Sequence, residues 1–192
     1  MQQQERKPVA AGKSSYDLVE PQRLWDAVQP WNYSTIIDAG CGVGNYTLAL
    51  SQKAPAANIL ACDLWREGVF ELGRILTTKN IDRIGPVVAD LRGMLPVAAG
   101  AADGVLMATV LHDLVKVEGW QSTLAEVRRV LRPGGRFWVV EFLPEPTPQG
   151  PPVEIRLAPE KVAEMTAPLG FRSLPPVRLG DSLYLSTLVV EG

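Results

Sequence analysis

Three aspartates, at 38, 63 and 90, each close a short apolar run, and glycines 40, 42 and 44 follow the first of them. The stretch from Ile36 to Thr47 reads IIDAGCGVGNYT. Glycines there let a ligand approach the backbone closely and permit a positive φ in the turn. The helix that should follow offers free N–H groups and the positive end of its dipole to an anionic group. Carboxylates at the ends of neighbouring strands accept hydrogen bonds from hydroxyl and amino groups. This combination of residue types suits a nucleoside-containing ligand.

Spacing divides two cofactor classes. Dinucleotide-binding loops follow G-x-G-x-x-G, whereas the glycines here fall as G-x-G-x-G, with Asn45 next. Asp63 follows Gly44 by 19 residues, where a carboxylate can accept from both ribose hydroxyls. Asp90 stands where a carboxylate can accept from an adenine amino group, and Asp38 sits beside the glycine loop.

The elements that must hold these residues alternate. Strands are predicted at 34–38, 58–62, 84–89, 103–109, 137–142, 171–174 and 182–190, and helices at 17–29, 45–53, 64–78, 120–131 and 158–167. Strands alternating with helices imply βαβ units, hence an α/β, doubly wound, Rossmann-like fold with helices on both faces of a mainly parallel sheet. Ligands of such sheets bind at the carboxyl ends of the strands. Residues 143–152 carry five prolines and should form a stiff, extended loop. Residues 1–15 lack a hydrophobic period and read as a flexible arm that orders on ligand binding; residues 16–192 read as a single domain.

Between residues 34 and 142 the chain resembles the class I S-adenosylmethionine (SAM)-dependent methyltransferases. The matching segments are Asp38-Ala-Gly-Cys-Gly-Val-Gly44, Asp63-Leu64, Asp90-Leu91, the run from Asp103 to Asp113 that reads DGVLMATVLHD, and Leu131-Arg-Pro-Gly-Gly-Arg136. Within that family the chain is loosely similar to small-molecule methyltransferases of the quinone-biosynthesis type. The resemblance implies a seven-stranded sheet of order 3-2-1-4-5-7-6 with the last strand antiparallel. It implies SAM as methyl donor and S-adenosylhomocysteine (SAH) as product. It also implies a cofactor-binding set of Asp38, Gly40, Cys41, Gly42, Gly44, Asp63, Leu64, Asp90, Leu91 and Thr109.

Each residue also has a plainer reading. The loop could be a tight turn, Asp63 a helix cap and Asp90 a solvated loop residue. His112, the single histidine, follows the fourth strand and is the catalytic candidate. Its ordinary pKa of about 6.5 suits a general base, but residue type alone favours a packing role, since an activated sulfonium needs positioning more than a base. Lys13 and Tyr16 could close over the cofactor from the arm. Trp65 could flank the nucleoside, and Arg128, Arg129, Arg132 and Arg136 read as a solvated face.

Composition narrows the partners. A net charge of −2 gives no general attraction to nucleic acid or anionic membrane. Two cysteines, in no CxxC pair and without a histidine cluster, argue against a zinc site or disulfide scaffold, and no metal is expected. No secretory signal core or membrane-length apolar run is present, so a cytoplasmic protein is expected. The expected partner is a small-molecule methyl acceptor, in a pocket either open or completed by a second copy in a homodimer. The alternatives are a catalytically silent SAM-binding sensor or partner subunit, and an NAD-dependent oxidoreductase, which the glycine spacing opposes.

Overall fold

The computed structural model describes residues 12–191. Eight strands form one sheet: β1 Thr35–Ala39, β2 Asn58–Asp63, β3 Ile84–Val88, β4 Ala102–Ala108, β5 Leu131–Phe142, β6 Phe171–Ser173, β7 Val177–Arg178 and β8 Leu183–Val190. Six α-helices accompany them: α1 Pro21–Val28, α2 Asn45–Lys53, α3 Arg66–Lys79, α4 Leu111–Lys116, α5 Trp120–Val130 and α6 Pro159–Thr166.

The sheet order is β3-β2-β1-β4-β5-β8-β6. The first five strands run parallel, and β8 is antiparallel to both β5 and β6. This is the expected topology, with one addition. The two-residue β7 pairs with β8 beside β6, because Pro175 and Pro176 lack the N–H groups needed to continue one strand.

Strand alternation sends successive side chains to opposite faces. Ile36, Leu106 and Trp138 pack beneath Leu24, Leu50 and Leu72 of α1, α2 and α3. Ile37, Val105 and Val139 pack beneath Leu124 of α5 and Val162 of α6. The central strands are buried on both faces, which is why they read as continuous apolar runs rather than alternating ones.

The expected helix at 17–29 divides in two. A 3₁₀ turn, Tyr16–Leu18, precedes α1, and Glu20 between them is extended. Pro21 explains the break, since it disfavours helical backbone in the residue before it. Helix α4 was absent from the sequence-based expectation. Its six residues are too few for periodicity to show. The LRPGG segment lies within β5 rather than ahead of it, with a register shift opposite Ala102 and Gly104.

At the amino end of the sheet, Asp103 accepts from the backbone N–H groups of Ser34 and Thr35, at 2.7 and 2.8 Å, and from Arg132 Nε at 2.6 Å. Arg129 pairs with Glu126 there, and Arg128 donates to the Leu169 carbonyl. These arginines hold elements together on the edge away from the glycine loop. That leaves the carboxyl edge, where the strand order reverses between β1 and β4, as the place for a ligand.

Candidate active site

The glycine loop leaves β1 at Gly40 and enters α2 at Asn45. Two of its glycines serve packing. A Cβ on Gly40 would overlap the Val110 side chain, and one on Gly44 would overlap Leu72; both backbones are left-handed, at φ +92° and +88°. Gly42 differs, because a Cβ there would meet nothing within 4 Å. Its bare backbone faces open space, as a surface that receives a ligand requires. Cys41, between the first two glycines, is buried, and burial pushes its thiol far above the usual range. Burial likewise pushes the Cys62 thiol up, to about 12, so both sulfurs are inert as nucleophiles.

Asp63 ends β2 and ties the loop down. Its Oδ2 accepts from Gly42 N–H and its Oδ1 from Trp65 N–H, both at 2.7 Å. It does not cap α3, whose N-cap is Trp65. Two oxygens with about four lone-pair positions leave acceptor capacity for hydroxyl groups. Leu64 beside it is 53 % exposed, a large apolar side chain left uncovered at the carboxyl edge. Trp65 is half-buried, and its ring packs over Gly68.

Asp38 is fully buried, 1 % exposed, and accepts from Thr47 Oγ1 at 2.5 Å. Burial raises its pKa to about 7, against the Thr47 hydrogen bond and with help from the charge of Asp63. It lies behind the loop rather than on its surface. Asp90, after β3, is bound by Arg92: Nη2 lies 2.6 Å from Oδ2 and the backbone N–H donates to Oδ1 at 3.0 Å. That hydrogen bonding holds its carboxyl below the usual range. Leu91 points into the core with Leu95 and Val105.

Thr109 directly follows β4, with φ +55°. A β-branched residue in the left-handed region is strained by about 1–3 kcal/mol, and such strain gathers at functional sites. Its N–H still closes the ladder to the Val140 carbonyl at 2.8 Å. The left-handed step then throws the chain into α4 and brings His112 back over the end of β5.

There His112 meets Glu141. Nδ1 lies 2.8 Å from Oε2, and the His112 backbone N–H donates to Oε1 at 3.1 Å. Glu141 is wholly buried. Burial disfavours a charged imidazole, but the hydrogen bond and charge of Glu141 more than offset it, and the His112 pKa is raised. With Nδ1–H donated to the carboxylate, the tautomer leaves a lone pair on Nε2. Sequence reasoning missed Glu141. Its signal was a lone acidic residue inside the apolar run FWVVEF.

Two adjoining spaces complete the site. A small recess of about 50 Å³ lies over the glycine loop, beside Tyr46 and Thr109. A larger cavity of about 440 Å³ opens over His112, with Leu18, Phe142, Pro151, Pro152 and Ile155 as apolar walls. Lys13, Ser14, Ser15 and Thr109 line both. Residues 1–11 of the expected arm lie outside the described residues. Within its remaining part, Ser15 is buried and its Oγ lies 3.0 Å from Tyr46 Oη and 3.1 Å from Thr109 Oγ1. Tyr16 stands edge-on to Tyr46, with ring centroids 5.0 Å apart. Ser15 and Tyr46 carried no distinguishing signal in the sequence. Among the described residues, no three His, Cys, Asp or Glu side chains group as metal ligands, and no helix is long and apolar enough to cross a membrane.

Residues 36–135 match a family model described as a methyltransferase domain. The ubiquinone/menaquinone biosynthesis C-methyltransferase UbiE of Paracoccus denitrificans is 30 % identical over 147 residues, which cover 70 % of this chain and 57 % of that protein. The chain thus spans little more than half the length of this relative. Among solved structures, a SAM-dependent methyltransferase from Aquifex aeolicus superposes with a TM-score of 0.79 at 20 % identity, over 93 % of both chains. An O-methyltransferase of neocarzinostatin biosynthesis, solved with SAH and 1,4-dihydroxy-2-naphthoic acid, superposes with a TM-score of 0.71 at 17 % identity, over 83 % of this chain and 50 % of that one. The glycine loop, the carboxylate-tipped strands and these likenesses converge: the chain belongs to the class I SAM-dependent methyltransferases, with SAM as its cofactor.

Proposed function

We propose that this chain transfers a methyl group from SAM to a hydroxyl oxygen on a small, largely apolar acceptor. The observation that carries the reading is the His112–Glu141 pair, set over an apolar cavity that shares a wall with the recess above the glycine loop.

Asp63 would hold the ribose hydroxyls, Leu64 would cover one adenine face, and Asp90 would accept from the adenine amino group in exchange for part of its four-bond pairing with Arg92. Gly42 would lie against the methionine part, with Asp38 behind the loop as a counter-charge to its ammonium. When bound, SAM supplies an electrophilic methyl on a positively charged sulfur. His112 Nε2 takes the proton of the acceptor hydroxyl, and Glu141 fixes the ring and stabilises the imidazolium that forms. The phenyl ring of Phe142 and the prolines would give the acceptor an apolar surface to lie against. Thr109 and Ser15 stand at the junction of the two spaces, where donor and acceptor must meet.

A hydroxyl acceptor explains why a base is present. The 1,4-dihydroxy-2-naphthoic acid bound in the structural neighbour carries hydroxyl groups on an apolar ring system, the chemistry proposed for the acceptor here. The UbiE relative is named as a C-methyltransferase, so carbon transfer to a hydroxylated ring is the second reading. The test supplies isotopically labelled SAM with a panel of hydroxyarenes and their methyl ethers. Labelled ethers, formed only from free hydroxyls and reduced about 100-fold or more in His112→Gln, are the expected result. Label on ring carbon would favour the second reading. A chain that binds SAM yet methylates no member of the panel would overturn the enzyme reading in favour of a silent binding subunit.

A further inference from the structure

Every donor nitrogen of Arg156 is spent on one loop. Nε donates to the Pro151 carbonyl at 2.9 Å. Nη1 lies 3.1 Å from the Leu143 carbonyl, 2.8 Å from the Glu145 carbonyl and 2.7 Å from Thr147 Oγ1. Nη2 donates to the Gln149 carbonyl at 3.3 Å. The guanidinium also lies over the Phe142 ring, 5.5 Å from its centroid.

The loop needs such a partner. Residues 143–152 contain Pro144, Pro146, Pro148, Pro151 and Pro152. Prolines have no N–H, so the segment cannot build a backbone ladder of its own. A planar guanidinium, with five donors in a fixed fork, can serve several carbonyls at once; a lysine ammonium cannot. Gly150 reinforces the arrangement. It sits at φ +118°, and a Cβ there would run into the Phe142 ring and come within 3.1 Å of Arg156 Nη2.

Gln149, Gly150, Pro151 and Pro152 form one wall of the larger cavity and contribute nothing to the recess over the glycine loop. Arg156 does not line the cavity itself. We infer that Arg156 is a positioning residue for the methyl acceptor: it ties the proline-rich loop into a single wall, against which the apolar body of the acceptor lies with its hydroxyl toward His112. The inference rests on the acceptor-cavity reading above. It makes the loop, and not the catalytic pair, the part of the fold that selects acceptors by shape.

The test uses the full chain saturated with SAH and titrated with 1-naphthol as the probe. Wild type, Arg156→Ala, Arg156→Lys and Gly150→Ala are compared, with SAH affinity measured separately for each. SAH affinity should stay within about threefold throughout, because the recess lies elsewhere. Naphthol affinity should fall by about tenfold or more in both arginine variants, and detectably in Gly150→Ala, because the wall that would cover the apolar ring is no longer held in place. Unchanged naphthol affinity in Arg156→Ala would overturn the role of Arg156. Loss of SAH binding in parallel with naphthol would overturn it too, by showing a general structural effect. Failure of naphthol to bind the wild-type complex would instead remove the acceptor-cavity reading beneath it.

Discussion

Replacing Asp63 with alanine separates its two possible roles, cofactor ligand and loop staple. The carboxylate already accepts two backbone hydrogen bonds at 2.7 Å, from Gly42 and Trp65. Losing them leaves two half-exposed donors to water, at a cost to stability of about 1–2 kcal/mol. For a chain of this size that lowers the melting temperature by roughly 2–8 °C. The cofactor loses more. Two ribose hydroxyls bonded to a carboxylate contribute about 1.5–3 kcal/mol each. Their sum of at least about 3 kcal/mol is a fall in affinity of about 100-fold or more. Asp63→Asn should fall between, because its amide nitrogen must face either Gly42 or Trp65, both of which donate. Calorimetric titration with SAH, alongside a melting curve, reads both quantities. A folded Asp63→Ala protein that binds SAH within about threefold of wild type would falsify the ribose role and leave Asp63 a staple of the loop.

The His112–Glu141 pair predicts a pH profile. A base must be neutral to work, so the rate should rise with pH through the raised His112 pKa, above 6.5. Glu141→Gln removes the larger cause of the raise, leaving the smaller pull of the Asp113 charge, and should move that limb to lower pH while reducing the maximal rate; an unmoved limb would exclude His112 as the titrating group. Through linkage, the stability that this raised pKa contributes is fully present below about 6.5 and is lost as pH rises through the folded value. Asp38 behaves in the same sense. Its folded pKa of about 7 exceeds the ordinary 3.8, so its contribution to stability is complete below about 4 and declines as pH rises to 7. Asp38→Asn, measured by thermal melts from pH 4 to 8, should flatten that decline, whereas an identical slope would place the titration elsewhere. Gly40→Ala must fit a Cβ against Val110 on a left-handed backbone. It should cost about 1–3 kcal/mol and abolish SAH binding; full binding by calorimetry would show that the loop tolerates displacement.

Much of the fold was legible because the signals are local. The glycine triplet, the run Thr-Ile-Ile before Asp38 and the helix pattern after Asn45 lie within one βα unit, and α2 begins and ends where its periodicity says. Tertiary pairing was legible only as topology implied by resemblance. The role of each glycine was not: Gly40 and Gly44 are set by Val110 and Leu72, which are distant in sequence, while Gly42 alone has open space before it.

The site divides along the same line. The alternation of strands and helices by itself determined the fold class, and the order of glycines and aspartates carried the resemblance that implied SAM, because these residues work through backbone geometry and strand position. Tertiary structure decided which side chains meet. Thr109 takes a left-handed step, α4 folds back, and a histidine meets a buried carboxylate 29 residues along the chain. His112 was a candidate base by residue type alone, but only its contact with Glu141, which the sequence did not single out, fixes the tautomer and raises the pKa. In the same way Arg156 reads as one more surface charge until the loop of prolines closes around it. Short-range patterns specify elements. A hydrogen bond between distant side chains exists only after the sheet has brought their strands and helices together.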